Sequence, residues 1–273
     1  MPIYHSLGEI PHKRHTAFRQ PNGKLYAEEL VSTEGFSGMY SLVYHTHPPT
    51  FVKALGEPYS VEPKIAREKH LRHTSLLGFN VKPEDDYLKS RKPVLVNADL
   101  QISLAAPRHS MTDYFYKNSQ ADEVIFIHKG SGTLQTGFGK LKFSYGDYLV
   151  VPRGTIYQIK FDDENNRLFI TESYSPIRFP KRYQNQFGQL MEHAPYCERD
   201  IRRPSDLETF DQEGDFKVLI NTSGIHITHQ ELSNILLDGV SKYSYAVQGE
   251  VNPVKLSLNK KFQIEYEKEL PEG

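Results

Sequence analysis

Two pairs of histidines have spacings that bear on metal binding. Alternate residues of a strand face the same side, so His45 and His47 would present two imidazoles together. The two prolines that follow indicate that the strand ends there, which weakens this interpretation. His226 and His229 stand at the start of a predicted helix, without a carboxylate partner at a suitable spacing. We expect neither pair to bind a metal ion.

The single cysteine and the basic residues are expected to have structural roles. Cys197 lies in a polar stretch with no obvious base nearby, so a nucleophilic role is not expected. One cysteine excludes an intrachain disulfide framework and fits a reducing compartment. Arg153 is expected to be an exposed or interface cation. The basic runs 64–72 and 199–203 are expected to form solvated or subunit-contacting faces.

Composition excludes several classes of partner. The formal net charge is −1, from 33 basic and 34 acidic residues, so the sequence does not favour nucleic acid or another polyanion as a partner. The first residues lack the pattern of a signal peptide, and no run of about 18 apolar residues is present. The sequence therefore predicts a cytoplasmic protein without a membrane span.

The middle of the chain has the rhythm of short strands joined by turns. Gly and Asn/Asp turns separate most of nine strand-like segments, which favours an antiparallel barrel or sandwich. The nine segments are 94–96, 100–105, 113–116, 123–128, 132–136, 140–143, 148–151, 156–160 and 167–172.

The flanking regions complete four predicted parts. Residues 1–93 form an N-terminal β extension, 94–180 the barrel, 181–219 a polar connecting arm, and 220–273 a small α+β tail. In the tail, residues 228–237 are predicted to be a helix, because Thr228 and Glu231 have the spacing of a capping box. Strands are predicted over 243–247 and 254–258, before a charged end.

The barrel segment resembles the cupin signature in its scaffold but not in its metal ligands. The glutamate Glu123 is separated by six residues from a glycine, and a later Gly, Pro-x-Gly series also falls in register. Where cupins place three metal-binding histidines, this sequence has Tyr116 or Lys117, Asn118 or Ser119, and Tyr157. One remaining carboxylate does not hold a transition metal well, so we expect a degenerate site at Tyr116, Asn118, Glu123 and Tyr157. Glu123 should be hydrogen-bonded to Tyr157, Tyr116 or the backbone, because a buried carboxylate needs partners.

A more specific resemblance covers residues 1–219. Several segments are similar to homogentisate 1,2-dioxygenases: 4–16, 26–30, 35–38, 44–50 and 97–180. The resemblance implies a bicupin family that opens the ring of homogentisate with Fe(II) and O2 in tyrosine and phenylalanine breakdown. It also implies trimers or hexamers, with the iron held in a second, C-terminal cupin by two His and one Glu. The first cupin is metal-free in this family, so the degenerate site is what the resemblance predicts.

Residues 220–273 do not match the family, and no position accepts its iron ligands. We therefore expect no catalytic, cofactor-binding or metal-binding residue in this chain, no cofactor of its own, and no activity of the chain alone. A truncated, frameshifted or fused reading frame would explain the tail.

An alternative is a non-catalytic cupin that binds a small aromatic molecule in a lumen containing Tyr114, Tyr116 and Tyr157, or that acts as an oligomerisation scaffold. A third hypothesis is a metal-bound cupin with substitute ligands.

Overall fold

The structure is a computed structural model of a mainly β chain. It describes residues 17–32, 40–48, 52–66, 70, 72–186, 189–197, 200–204, 213–222, 225–233, 244–245, 254–258 and 263–266. The strands before the barrel are β1 Ala27–Ser32, β2 Tyr40–His45, β3 Val52–Leu55 and β4 Tyr59–Ser60. Two short 3-10 helices are η1 Gly78–Asn80 and η2 Lys181–Tyr183. Within these residues, no helix is long and apolar enough to cross a membrane.

All nine predicted barrel strands are present, with ends shifted by no more than two residues. They are β5 Lys92–Val96, β6 Leu100–Ala105, β7 Phe115–Asn118, β8 Asp122–Lys129, β9 Gly132–Thr136, β10 Gly139–Phe143, β11 Tyr148–Val151, β12 Ile156–Phe161 and β13 Arg167–Ser173. The prediction succeeded because turn residues bound the strands and several of them, such as β9 and β13, alternate more buried and less buried residues.

The barrel is built from two sheets that share one core. One sheet has the strand order β11-β8-β13-β6-β5, and the other contains the series β10-β9-β12-β7. Strand β8 shows how the pleat divides the faces: Ile125 and Ile127 are buried, whereas Phe126 and His128 are more exposed. The inward side chains of both sheets form one apolar cluster, so the fold is a mainly β cupin barrel, as predicted.

The Pro-x-Gly turn is fastened to the barrel by a buried aspartate. Gly154 has a φ of +82°, a left-handed conformation that glycine adopts without strain. Asp122 accepts hydrogen bonds from the backbone N–H of Arg153 at 3.0 Å and of Ile177 at 2.7 Å. The Nε of Arg153 lies 3.2 Å from the same carboxylate. Arg153 is therefore not the exposed cation expected from the sequence, because its half-buried side chain forms an ion pair with buried Asp122. A contact of Arg153 with another subunit stays a prediction.

The chain beyond the barrel is more extended than predicted. Its strands are β14 Ile201–Arg202, β15 Glu213–Thr222, β16 Ile225–Ser233, β17 Ser244–Tyr245, β18 Val254–Leu258 and β19 Gln263–Tyr266. The helix predicted over 228–237 is wrong across 228–233, where the chain belongs to β16, and 234–237 lie outside the described residues. The β-branched residues Ile225, Ile227 and Thr228 favour a strand, and pairing of β16 with β15 and β3 outweighs the local capping pattern.

The four-part division of the chain stays a prediction. Its boundary between residues 219 and 220 falls inside β15, which pairs with barrel strand β7 in parallel. The segments 4–16 and 35–38, which carry part of the family resemblance, lie outside the described residues.

Candidate functional site

The four predicted positions converge on the inside of the barrel. Tyr116 and Asn118 lie on β7, Glu123 on β8 and Tyr157 on β12, and all four are buried. Tyr157 is the direct cross-strand partner of Tyr116, and their rings meet edge to face with centroids 5.4 Å apart. The structure thus brings together residues that are up to 41 positions apart in sequence, from 116 to 157.

Both oxygens of the Glu123 carboxylate have close partners. The Tyr157 hydroxyl donates to Oε2 at 2.6 Å, which is the tyrosine contact expected from the sequence. The Nη2 of Arg91 donates to Oε1 at 2.7 Å and also lies 3.3 Å from the Tyr157 hydroxyl. Because Glu123 is fully buried, these charge-assisted bonds compensate the loss of its hydration.

Arg91 is a central residue that the sequence analysis missed. Its side chain is only 10% exposed, and its guanidinium carbon lies 4.2 Å from the ring centroid of Tyr87 and 5.4 Å from that of Tyr116. Burial opposes the charge of Arg91, but the combined effect of the Glu123 carboxylate and the neighbouring tyrosines outweighs it, so the pKa of the guanidinium is raised well above its usual value. Sequence spacing offered no signal for it, because Arg91 lies in no barrel strand and its partner Glu123 is 32 positions away.

A second carboxylate that the sequence analysis missed lies beside Glu123, on the same face of the sheet. Glu172 on β13 is the direct cross-strand partner of Glu123 on β8. Its Oε1 accepts from Asn118 Nδ2 at 2.8 Å and lies 3.6 Å from Arg91 Nη1, and its Oε2 accepts from Gln101 Nε2 at 2.9 Å. Burial raises the pKa of Glu172, Arg91 opposes this rise, and Glu123 adds to it. The available signal was the strand pattern. Leu168, Ile170 and Glu172 are alternate residues on one face of β13, so a glutamate stands where the pattern predicts an apolar side chain.

The tyrosines of the site are neutral phenols. Burial raises the pKa of Tyr87, Tyr116 and Tyr157, and the negative charge of Glu123 raises all three further. A protonated phenol donates a hydrogen bond, as Tyr157 does to Glu123, and is a poor metal ligand. Asn118 does not offer a free ligand atom either. Its Oδ1 accepts hydrogen bonds from the N–H groups of Gln120 and Ala121, and its Nδ2 donates to Glu172.

These residues do not fit a transition-metal ion. Such ions take imidazole, thiolate and carboxylate ligands, whereas this site offers two carboxylates already bound to a guanidinium, together with phenols and an amide. Among the described residues, no group of three or more His, Cys, Asp or Glu side chains is placed to hold a metal ion.

The other candidate residues lie apart from this site. His45 ends β2 and its Nε2 lies 2.8 Å from Glu29 Oε2, whereas His47 follows the strand. His226 and His229 lie on β16 and not at a helix start. The Sγ of Cys197 lies 3.6 Å from the side chain of Asp200.

Arg202 corrects part of the expectation for the basic runs. Its Nη2 donates to buried Asp147 at 2.6 Å and its Nη1 to the carbonyl of Lys142 at 3.1 Å, so Arg202 contacts the barrel of its own chain. Arg199 and residues 67–69 and 71 lie outside the described residues.

Comparison with known proteins supports the resemblance. Residues 87–204 match the family described as homogentisate 1,2-dioxygenase N-terminal. Over 222 residues the chain is 39% identical to a protein of Saccharolobus solfataricus named "Putative dioxygenase SSO1533". That alignment covers 81% of this chain and 57% of the relative, so the chain spans little more than half of the relative's length. These matches confirm the predicted resemblance and relate the chain to dioxygenase-like proteins.

Two solved structures show a partial likeness at low sequence identity. A cupin-2 domain protein from Shewanella frigidimarina has a TM-score of 0.30 and 17% identity, covering 35% of this chain and 87% of its own. KdgF from Halomonas sp. has a TM-score of 0.29 and 17% identity, covering 32% and 78% respectively.

Proposed function

We propose that this chain, whose residues 87–204 match the N-terminal family of homogentisate 1,2-dioxygenases, supplies a non-catalytic structural barrel to a dioxygenase-like protein. The observation that carries this proposal is the buried contact of Arg91 with Glu123 and Glu172. A cation of the protein lies among the four positions where a cupin would hold its metal. Iron-dependent chemistry at those positions would require the contacts of Arg91 with Glu123 and Glu172 to be broken.

The activity proposed for the whole protein rests on the family resemblance. It is the ring cleavage of homogentisate with Fe(II) and O2, in the cytoplasmic breakdown of tyrosine and phenylalanine, by trimers or hexamers. In this proposal the iron belongs to a second cupin and not to the barrel around Glu123. The matched relative, of which this chain covers 57%, supports the link to dioxygenases at the level of its name.

The experiment is O2 uptake by the purified chain with Fe(II) and homogentisate. We expect no turnover above the rate of the buffer with Fe(II), because Glu123 and Glu172 are bound to Arg91. Glu123→Gln is the matched variant: turnover by the native chain that this substitution abolishes would contradict the proposal and make the barrel catalytic. Metal analysis of the same preparation tests the hypothesis of substitute ligands, since bound Fe, Mn, Zn or Ni at one ion per chain would support it.

The alternative of an aromatic ligand in the lumen is less well supported. The tyrosines that would contact such a ligand, Tyr114, Tyr116 and Tyr157, belong to a single packed cluster that also contains Tyr87. The rings of Tyr87 and Tyr157 meet at 6.2 Å, and Arg91 lies over Tyr87. A lumen filled by the protein's own side chains favours the scaffold role.

A further inference from the structure

The inner face of the barrel carries two opposed carboxylates. Glu123 and Glu172 are direct cross-strand partners, and such pairs have Cβ atoms about 5 Å apart. Their side chains are 0% and 6% exposed, so water screens neither charge. Two ionised carboxylates in this position destabilise a sheet unless a cation lies near both or one of them takes up a proton. The pair therefore favours a cation between its carboxylates, and Arg91 lies there.

We propose that Arg91 is a built-in ligand of this site, and that the site is a receptor for a guanidinium group. The chain itself supplies the cation that would otherwise have to be bound from solution. Truncation of Arg91 should then leave a cavity that binds a small free guanidinium ion. This inference concerns recognition inside the barrel and stands whether or not the proposed function is correct.

The contacts of Arg91 favour a guanidinium over an ammonium ion. Nη2 donates to Glu123 and lies near the Tyr157 hydroxyl, while Nη1 faces Glu172. The flat face of the group stacks near Tyr87, 4.2 Å from its centroid. A planar fork serves two acceptors while an aromatic ring covers its face, which a Lys ammonium on a flexible stem does not reproduce.

The stem nitrogen of Arg91 takes little part in this recognition. Its Nε has no hydrogen-bond partner within the described part of the chain, although it is buried. Both carboxylate contacts use the terminal nitrogens, which methylguanidinium also possesses. Methylguanidinium is therefore a suitable probe of the empty site.

The turn that delivers Arg91 is held independently of its side chain. Asp86 Oδ1 accepts from the N–H groups of Leu88 and Lys89, each at 3.1 Å. The carbonyl of Asp85 accepts from the N–H groups of Arg108 and His109 at 2.8 and 3.0 Å. Truncation of Arg91 should thus remove the occupant and leave the walls of the site in place.

The test measures the thermal midpoint of Arg91→Ala with increasing methylguanidinium chloride at constant ionic strength. We expect a lower midpoint than that of the native chain, and a saturable rise at millimolar probe that the native chain does not show. Methylammonium chloride should give a clearly smaller rise. Equal responses of the variant and the native chain, or equal responses to the two cations, would overturn the proposal.

Arg91→Met provides a control and a second test if the alanine variant does not fold. Methionine fills much of the space of the arginine, so we expect no response to methylguanidinium. It also leaves the buried Glu123 carboxylate without its cationic partner, so Arg91→Met with Glu123→Gln should have a higher midpoint than Arg91→Met alone. A double variant no more stable than the single one would show that Arg91 does not serve as the cation of Glu123. Oxygen uptake plays no part in these measurements, so they fail separately from the proposed function.

Discussion

Glu172 is a buried acid whose proton should affect stability. Burial raises the pKa of its carboxyl, with Arg91 opposing and Glu123 reinforcing the rise. The folded chain therefore holds this proton more tightly than the unfolded chain does. The resulting stabilisation is fully present below the unfolded pKa and is lost as the pH rises through the raised value.

This gives a prediction for Glu172→Gln. An amide does not titrate, so the variant should gain unfolding free energy relative to the native chain as the pH rises from about 4 to about 8. Urea unfolding at several pH values measures the difference. Glu57→Gln, at an exposed glutamate, is the control and should follow the native chain. A constant difference between Glu172→Gln and the native chain would contradict the raised pKa.

At the same scale, the site was half predictable from sequence. The cupin spacing identified Tyr116, Asn118, Glu123 and Tyr157, because strand periodicity fixes which residues face inward. Arg91 was not predictable in this way, since it enters from a turn and contacts a residue 32 positions away. Spacing within a strand carries no information about such a contact.

Gly132 on β9 lies where two neighbouring strands leave no room for a side chain. An added Cβ would overlap the backbone carbonyl of Lys160 and lie 2.7 Å from the Phe143 ring. Both neighbours belong to strands of the same sheet, β12 and β10, and the carbonyl cannot move without disturbing the ladder.

We expect Gly132→Ala to lower the free energy of unfolding by about 2–3 kcal/mol, a cost typical of overpacking. Chemical denaturation measures this loss. Gly137→Ala is the matched control, because an added Cβ at Gly137 meets no atom within 4 Å. Similar stabilities of the two variants would show that β9 and β12 separate easily.

Strand patterns were reliable inside the barrel and misleading beyond it. Alternation and turn residues located all nine barrel strands, and eight of them, β6 to β13, contribute buried side chains to one core. Residues 228–233 have a helix-like capping pattern, yet they pair with β15. A partner strand supplies backbone hydrogen bonds that a local pattern does not take into account.

At the scale of the whole molecule, β15 joins the barrel to the rest of the chain. It pairs with β7 in parallel and with β16 in an antiparallel ladder, and β16 pairs in turn with β3 and β4. Val218 is 1% exposed and packs with Phe115 of β7 in a cluster that Phe216 and Ile220 extend. Segments from before and after the barrel thus meet on one sheet.

Val218→Asp should therefore destabilise the protein by about 3 kcal/mol or more, because it places an unpaired charge in this cluster. Lys217→Asp is the control: Lys217 is exposed, so its replacement should change stability by only about 0.5 kcal/mol. Urea unfolding compares the two. An unaffected Val218→Asp variant would show that β15 does not pack on the barrel.

The sequence by itself determined the β class, the nine barrel strands, the family resemblance and the absence of histidine ligands at the cupin positions. These are local properties, because strand periodicity, turn residues and motif spacing are read along a single stretch of chain. The tertiary structure decided what fills the centre of the barrel. Sheet register placed Glu172 opposite Glu123, and a turn fastened through Asp85 and Asp86 brought Arg91 between them. These contacts join segments that are distant in sequence. The buried charges of Glu123, Glu172 and Arg91 are stable only when those contacts form.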